Sequence, residues 1–418
     1  MEQEFMHNYG KAIVGPVMLE YTRWILRESQ KKGIKKLYFL ARDGYLLSKI
    51  AKTIVEKQGL DIDCRYLYCS RASLRMPSYH IIDENEMYDI LLLGGYYVTP
   101  KSLIWRAEIE GENARLLYKE LGIEDENACL NDKELEELRG KIKKSELYYN
   151  LVTEASKSAY KSTIDYFRSE GLFDTDHVAI ADSGWTGSMQ RSLRQLLDNE
   201  GYTGKTTGFY FGMYVSPKSE DGEYNTYYFS ESEGTKRKLY FNNNLFECML
   251  SAPHPMTIGY EYDEGGKVRP LFAENHSEKM LELINSQIDG ALEYTNGALD
   301  VPFTDYNYKR SLKRVYRLLK RAMVKPTRAE ANALSDFTFC DDVTEKYRLS
   351  LASDEMKKSL KNYMLIGRVL RKLTGKKQSG EAQLFWPYGV IALCPKILRP
   401  WYRFNITLWD FLKIKLKK

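Results

Sequence analysis

Apolar residues recur at helical spacing near the start of the chain. Val14, Val17, Met18, Tyr21, Trp24 and Ile25 share one face, which predicts an amphipathic helix over residues 11–31 ended by Gly33. The period then changes. Lys36-Leu37-Tyr38-Phe39-Leu40-Ala41 reads as a short buried strand that stops at Arg42-Asp43-Gly44, and Leu46, Leu47, Ile50, Ala51 and Ile54 mark a helix after it. A second strand, Arg65 to Cys69, follows Gly59, so strand, helix and strand predict a right-handed parallel unit.

From about 85 to 170 the pattern is helical. Thr99-Pro100 reads as a cap with proline at the first helical position, and Val152, Ala155, Ala159 and Tyr166 lie on one face, which predicts a helical insertion. His177-Val178-Ala179-Ile180-Ala181 restores the strand pattern and ends at Asp182; Met189, Leu193 and Leu196 begin the next helix. Strands near 206–214 and 224–229 and a hairpin around Gly265-Gly266 are expected to complete the sheet, with a mostly helical chain from about 275. The expected fold class is α/β with a mainly parallel sheet. Its divisions are a core over 1–272 containing the insertion, a helical region over 273–375, and a linker with an aromatic, basic tail over 376–418. Thr374 to Gly380 is the expected linker, and Trp386, Trp401, Trp409 and Phe411 mark the tail.

At 418 residues and 43% hydrophobic, the chain can bury a large core, which excludes a disordered tail or peptide module. Cys64, Cys69, Cys129, Cys248, Cys340 and Cys394 are scattered, without a C-x-x-C pair, and read as thiols in a reducing compartment. Met1-Glu2-Gln3-Glu4 lacks the charge of a secretory signal, and Phe385 to Cys394 is too short to cross a bilayer, so a soluble, cytoplasmic protein is expected. Net charge is +5 and unevenly placed: Lys309, Arg310, Lys313, Arg314, Arg317, Lys320 and Arg321 share one segment, and Lys413, Lys415, Lys417 and Lys418 close the chain. Such stretches attract nucleic acid, anionic lipid or phosphorylated acceptors, or form a solvated helix face.

Candidate chemistry lies in two strand-to-helix turns, Leu40-Ala41-Arg42-Asp43-Gly44 and Asp182-Ser183-Gly184-Trp185-Thr186-Gly187. Ligands of open parallel sheets bind at the carboxyl ends of strands, where helix N-termini offer free N–H groups to anions. Gly44 allows close backbone approach in the first turn; Gly184, Thr186, Gly187 and Ser188 in the second can cradle a phosphate. Either turn alone also reads as an ordinary tight connection. Together, each with an aspartate at its strand end, they fit a phosphorylated sugar, which needs anion donors plus carboxylates for hydroxyls or a metal.

The run from His177 to Ser188 resembles the ribose-5-phosphate loop of type I phosphoribosyltransferases, and Phe39 to Tyr45 resembles their pyrophosphate loop. With Tyr66 to Ala72, Phe246-Glu247 and Ser251-Ala252-Pro253, the pattern is similar to one branch, the glycan phosphoribosyltransferases of bacterial polysaccharide gene clusters. These are often fused to, or encoded beside, a phosphatase of the haloacid dehalogenase type. The resemblance covers roughly residues 10 to 260 and implies a Rossmann-like sheet of phosphoribosyltransferase type. Its implied activity is transfer of 5-phosphoribosyl from phosphoribosyl pyrophosphate to a hydroxyl of a lipid-linked glycan in capsule, O-antigen or exopolysaccharide synthesis. Pyrophosphate is released, and a separate phosphatase acts on the product. Common members place two adjacent acids before the Thr-Gly of this loop, whereas Ser183 follows Asp182 here.

On this basis Arg42, Arg71 and Arg75 are the candidate leaving-group stabilisers, with salt bridging the alternative for Arg71 and Arg75. Asp182 would accept from ribose hydroxyls, and Gly184 to Ser188, with Ser183, would hold the 5-phosphate. Mg²⁺ is the implied cofactor, since it binds phosphate oxygens with few protein ligands. Asp43 has three roles open: magnesium ligand through water, general base, or cap of the following helix. Glu247 is the other base candidate, or a solvated helix residue. His254, between two prolines, is placed at the acceptor side, with a structural role the alternative, and Trp185 either walls the sugar or packs beneath the loop. The basic helix and tail are expected to touch an anionic membrane at its inner face, or to pack on the core; no nucleic acid partner is expected.

Three rivals stand beside this. A haloacid dehalogenase-type phosphatase would need a second aspartate where Gly184 stands. A non-catalytic subunit of a polysaccharide assembly complex would keep the fold without turnover, and a nucleobase phosphoribosyltransferase would not need so long an insertion and C-terminal region.

Overall fold

A computed structural model of the chain describes residues 2–94, 98–274, 276–299, 306–335, 337–340, 348–365, 367, 369 and 384–416. Leu37, Phe39, Ala179 and Ala181 project to one side of their strands; Tyr38, Leu40, Val178 and Ile180 project to the other, and all are buried. A strand apolar on both faces needs cover on both, the condition of a parallel sheet between helices.

The strands are β1 (Lys36–Leu40), β2 (Asp63–Leu67), β3 (His177–Trp185), β4 (Lys205–Met213) and β5 (Glu223–Phe229). They form one sheet in the order β2-β1-β3-β4-β5 with every pairing parallel. β6 (Thr257–Tyr262) and β7 (Val268–Phe272) form a separate antiparallel hairpin, as do β8 (Thr338–Cys340) and β9 (Arg348–Ser350). The hairpin around Gly265-Gly266 therefore does not complete the main sheet, contrary to expectation. It packs on the long insertion helix, where Tyr260 stacks on Tyr166 with ring centroids 4.4 Å apart.

The first half of the chain carries α1 (Glu2–Tyr9), α2 (Gly15–Lys31), α3 (Gly44–Gln58), α4 (Arg71–Arg75), α5 (Glu84–Leu91), α6 (Pro100–Trp105), α7 (Gly111–Leu121), α8 (Asp132–Ile142), α9 (Glu146–Ser169) and α10 (Ser188–Asn199). The second half carries α11 (Thr235–Leu239), α12 (Asn243–Met249), α13 (Glu278–Ala298), α14 (Tyr308–Val324), α15 (Arg328–Ser335), α16 (Leu360–Tyr363), α17 (Pro387–Leu393) and α18 (Arg399–Leu416). The segment 85–170 is helical, with α5 to α9 around their own apolar cluster, and Thr99 caps α6 as its sequence predicts.

The first helix starts earlier than its apolar pattern indicates. α1 joins α2 through a π-helical stretch, Gly10–Val14, packed on α13. Helices α2, α3, α13, α14, α15 and α17 share one apolar cluster with the sheet, and fully buried Trp386 donates to the Met323 carbonyl at 2.8 Å. Within basic α14, Val315 and Leu319 face this cluster, Arg314 pairs with Glu20 at 3.2 Å, and Arg321 pairs with Glu330. The expected linker, Thr374 to Gly380, lies outside the described residues. No helix among the described residues is long and apolar enough to cross a membrane.

Candidate functional site

Both turns lie at the carboxyl edge of the sheet. The chain leaves β1 toward β2 and β3 toward β4, so a crevice opens between the ends of β1 and β3, the usual ligand position in this strand order. β3 outruns its neighbour: pairing with β1 stops at Phe39↔Ala181, whereas pairing with β4 continues to Trp185↔Met213. The strand was expected to end at Asp182. Instead, Asp182 to Trp185 keep one edge in the sheet and leave the other clear of β1.

A cavity of about 250 Å³ occupies this crevice. Its floor is Arg42 and Asp43 after β1, Ser70 and Arg71 after β2, and Asp182 to Thr186 with Ser188 from β3 onward. Glu247 on α12 faces it from above, with Ser251 and Ala252 alongside, so the solvated-helix alternative for Glu247 does not hold.

Two glycines set the turns. Gly44 opens α3 so close to β1 that a Cβ there would lie 2.7 Å from the Phe39 carbonyl carbon. At Gly184, φ is +111° and a Cβ would lie 2.4 Å from the Gly212 carbonyl oxygen, which only a glycine tolerates. Gly187 occupies the N-cap of α10, and Ser188 is its first residue.

Trp185 is a non-glycine residue at φ +78°, a conformation that costs roughly 1–2 kcal/mol. Its ring packs with Tyr214, Phe229, Phe241 and Phe246, at centroid distances of 5.3 to 6.3 Å, and its Nε1–H donates to Glu247 Oε1 at 2.8 Å. It lines the cavity and also packs against this aromatic cluster. Tyr21 braces the loop from behind, its hydroxyl 2.7 Å from the Asp182 carbonyl and 2.9 Å from that of Phe209.

Asp43 does not cap α3: its side chain makes no cap hydrogen bond and accepts from the Ser183 hydroxyl instead. This bond ties the two turns together. It also gives Ser183 a role, since a second acid there would set like charge against Asp43. The Ala41–Arg42 peptide, immediately before, is cis.

The electrostatics are those of three carboxylates in a confined space. Asp182 is pushed up to about 8, chiefly by burial and then by Asp43, against the Ser183 and Gly184 amides that favour its charge. Glu247 rises to about 7, again through burial first and Asp43 second, with the Trp185 bond, Arg71 and Arg42 opposing. Asp43 is raised by burial, against Ser183, Arg42 and Arg71. Asp43 and Glu247 are reached through the cavity, yet protein surrounds them on their other sides, and that confinement is what penalises charge. Burial and mutual repulsion therefore disfavour ionising all three carboxylates together.

Not every expected residue joins the site. Arg75 stands apart from Arg42 and Arg71, contrary to expectation. It lines a second, much smaller cavity with Tyr79, Arg106 and Glu108, where burial and, more weakly, Arg71 and Arg106 lower its pKa. His254 lies beside the cavity, packed among Tyr45, Tyr66, Tyr68 and Phe272. Its Nδ1–H donates to the Pro255 carbonyl at 2.8 Å, which leaves Nε2 to accept from the Tyr66 hydroxyl at 2.6 Å. Burial lowers its pKa and favours that neutral form, so the structural alternative describes it.

Several lining residues were not foreseen. Ser70 caps α4 through reciprocal bonds with Ser73, a Ser-x-x-Ser spacing that could have marked it. His276 comes from the stretch before α13, and Met256, Met280, Ile284 and Phe337 form an apolar wall; no motif announces any of them. Among the described residues, no group of three or more histidine, cysteine, aspartate or glutamate side chains is arranged to hold a metal ion by itself. The chain matches no family model and no curated protein.

Proposed function

We propose that this chain transfers 5-phosphoribosyl from phosphoribosyl pyrophosphate to a hydroxyl of a glycan, with release of pyrophosphate. The observation that carries this reading is the meeting of two anion-receptive turns across the β1/β3 crevice, with Asp43, Asp182 and Glu247 on one cavity.

In this reading the 5-phosphate lies against the turn from Ser183 to Ser188, where backbone amides and the Thr186 and Ser188 hydroxyls can donate. Arg42 and Arg71 face the pyrophosphate. Asp182 accepts from the ribose hydroxyls. As the bond from ribose C1 to pyrophosphate oxygen breaks, the electron pair leaves with pyrophosphate, positive charge develops on the sugar ring, and the buried carboxylates offset it. The acceptor oxygen then bonds to C1, and its proton passes to a carboxylate.

Glu247 suits that last task. Its pKa of about 7 matches a base working at neutral pH, and the Trp185 N–H fixes one oxygen while the other stays available. The carboxylates beside Arg42 and Arg71 offer hard oxygen donors, and Mg²⁺ carried in on phosphate oxygens needs few protein ligands. Asp43, through water, would hold that ion, whose chemistry there is to neutralise the leaving group.

At about 250 Å³ the cavity lies just below the usual range of ligand sites, roughly 300 to 1,000 Å³. In this reading it takes the donor alone, and the acceptor hydroxyl is presented from the rim. Calorimetric titration with phosphoribosyl pyrophosphate and Mg²⁺, with ribose 5-phosphate as control, tests the reading. Micromolar, magnesium-dependent binding that Asp182→Asn with Thr186→Ala abolishes is expected; no binding by the intact protein would overturn it in favour of a non-catalytic subunit.

A further inference from the structure

Large apolar side chains exposed to water are scattered over most of the surface but gather at one place near the end of the chain. Ile397 is 86% exposed, Trp401 56%, Phe404 61% and Phe411 41%. Their spacing of four, three and seven residues puts them on one stripe of α18 and the turn leading into it. The opposite side is anchored. Asn405 and Ile406 are buried, Tyr402 packs against the core, and Thr407 hydrogen-bonds Tyr388 of α17 at 2.8 Å. The helix is therefore held in one orientation, with its aromatic stripe outward.

The charge along α18 and the turn before it is mainly of one sign. Lys396, Arg399 and Arg403 flank it, and Asp410 is the one acidic residue in the sequence from 395 to 416. Arg403 Nε is shielded from water with no hydrogen-bond partner among the described residues. The neighbouring elements add to this field. α18 packs on α11, which carries exposed Lys236 beside Arg237 and Lys238, and Lys320 of α14 lies 4.2 Å above the ring of Tyr240, just after α11.

We propose that this face docks the protein on an anionic bilayer. Ile397, Trp401, Phe404 and Phe411 enter the interfacial layer while the surrounding lysines and arginines meet lipid phosphates. Tryptophan prefers the headgroup level, and an amphipathic helix lying in the interface buries its apolar stripe about 5–10 Å deep. The charge pattern also argues against a second copy as occupant: a two-fold contact would set these basic residues against their own images, with Asp410 the one acid on the helix itself. This inference is independent of the donor chemistry, and its test needs no substrate.

Flotation of the full chain with vesicles of phosphatidylcholine, alone or with about one-third phosphatidylglycerol, supplies the test. The protein is expected to float with the anionic vesicles, less so as salt rises, and not with the neutral ones. Trp401→Ser with Phe404→Ser should reduce capture at least about tenfold, and Lys396→Gln with Arg403→Gln should abolish the preference for anionic lipid. Leu116→Ser, at an exposed apolar position elsewhere, should change nothing. Both positions of the first pair point to water, so its thermal melt should match the parent. Unchanged capture of that pair, or equal flotation with both vesicle types, would overturn the proposal. So would a lipid-free dimer that the same pair returns to monomer, since the occupant would then be a second copy.

Discussion

Replacing Asp182 by asparagine removes a charge that the folded chain is poorly built to hold, and its effect on stability should depend on pH. In the fold the carboxyl titrates at about 8, against 3.8 in an unfolded chain. Between those values the unfolded state is ionised while the folded state prefers the proton. Folding therefore takes up a proton, and stability falls as pH rises from about 4 to about 8 before levelling. A gap of roughly four units at 1.36 kcal/mol each amounts to about 6 kcal/mol for an isolated group. Coupling to Asp43 makes that an upper bound, and about half of it, ~3 kcal/mol, is the expected order for the substitution. Asparagine keeps the shape and can still accept from the Ser183 and Gly184 amides. Asp182→Asn should therefore stabilise the ligand-free protein by about 3 kcal/mol at pH 8.5 and by less than about 1 kcal/mol at pH 5. For a chain of this length that is a gain of about 3–6 °C in melting temperature at the higher pH. Thermal melts across the range provide the assay. An equal gain at both pH values, or a loss at pH 8.5, would refute the argument that burial and like charge set the Asp182 pKa.

Four further outcomes follow. Glu247→Gln should lower turnover by about 10²–10⁴ while donor affinity in calorimetry stays within a few-fold, and the parent's rate should rise with pH through about 7 as Glu247 loses its proton. Trp185→Phe keeps the ring packing but removes the N–H that favours ionised Glu247, so the rising limb should move to higher pH by up to about one unit in a pH–rate profile. Gly184→Ala drives a Cβ against the Gly212 carbonyl at a positive φ and should destabilise by about 3 kcal/mol or more in denaturant titration. Arg71→Ala should weaken donor binding at least about tenfold and Arg75→Ala should not, because only Arg71 lines the cavity; equal losses would reject that assignment.

Much of the core was legible because its signals are local. A short apolar run such as Leu37 to Leu40, closed by Arg42-Asp43-Gly44, marks a covered strand, and Asp43-Gly44 and Asp182 to Gly187 carry the turn chemistry in their own residue types. The failures were of range. Gly10 and Gly15 interrupt the apparent start of the first helix, yet each lies where a Cβ would strike the backbone of α13, at Gln287 and Ala291, so they serve a contact nearly three hundred residues away. The β6–β7 hairpin has the alternation of a sheet strand, but its partner is α9, and alternation does not name a partner. Arg71 and Arg75 look equivalent in sequence. Four residues apart on a helix of one turn, they face different cavities.

By itself the sequence determined which segments could be strands, which helices, and which tight turns follow strands, since propensity, period and turn residues act within a few positions. It did not determine that Ser183 bonds to Asp43, that Trp185 holds Glu247, that Arg75 and His254 lie off the cavity, or that Trp401 and Phe404 point outward from an anchored helix. Each of these depends on packing between elements far apart in the chain. Burial, which raises the three carboxylates, exists only once those elements have closed around them.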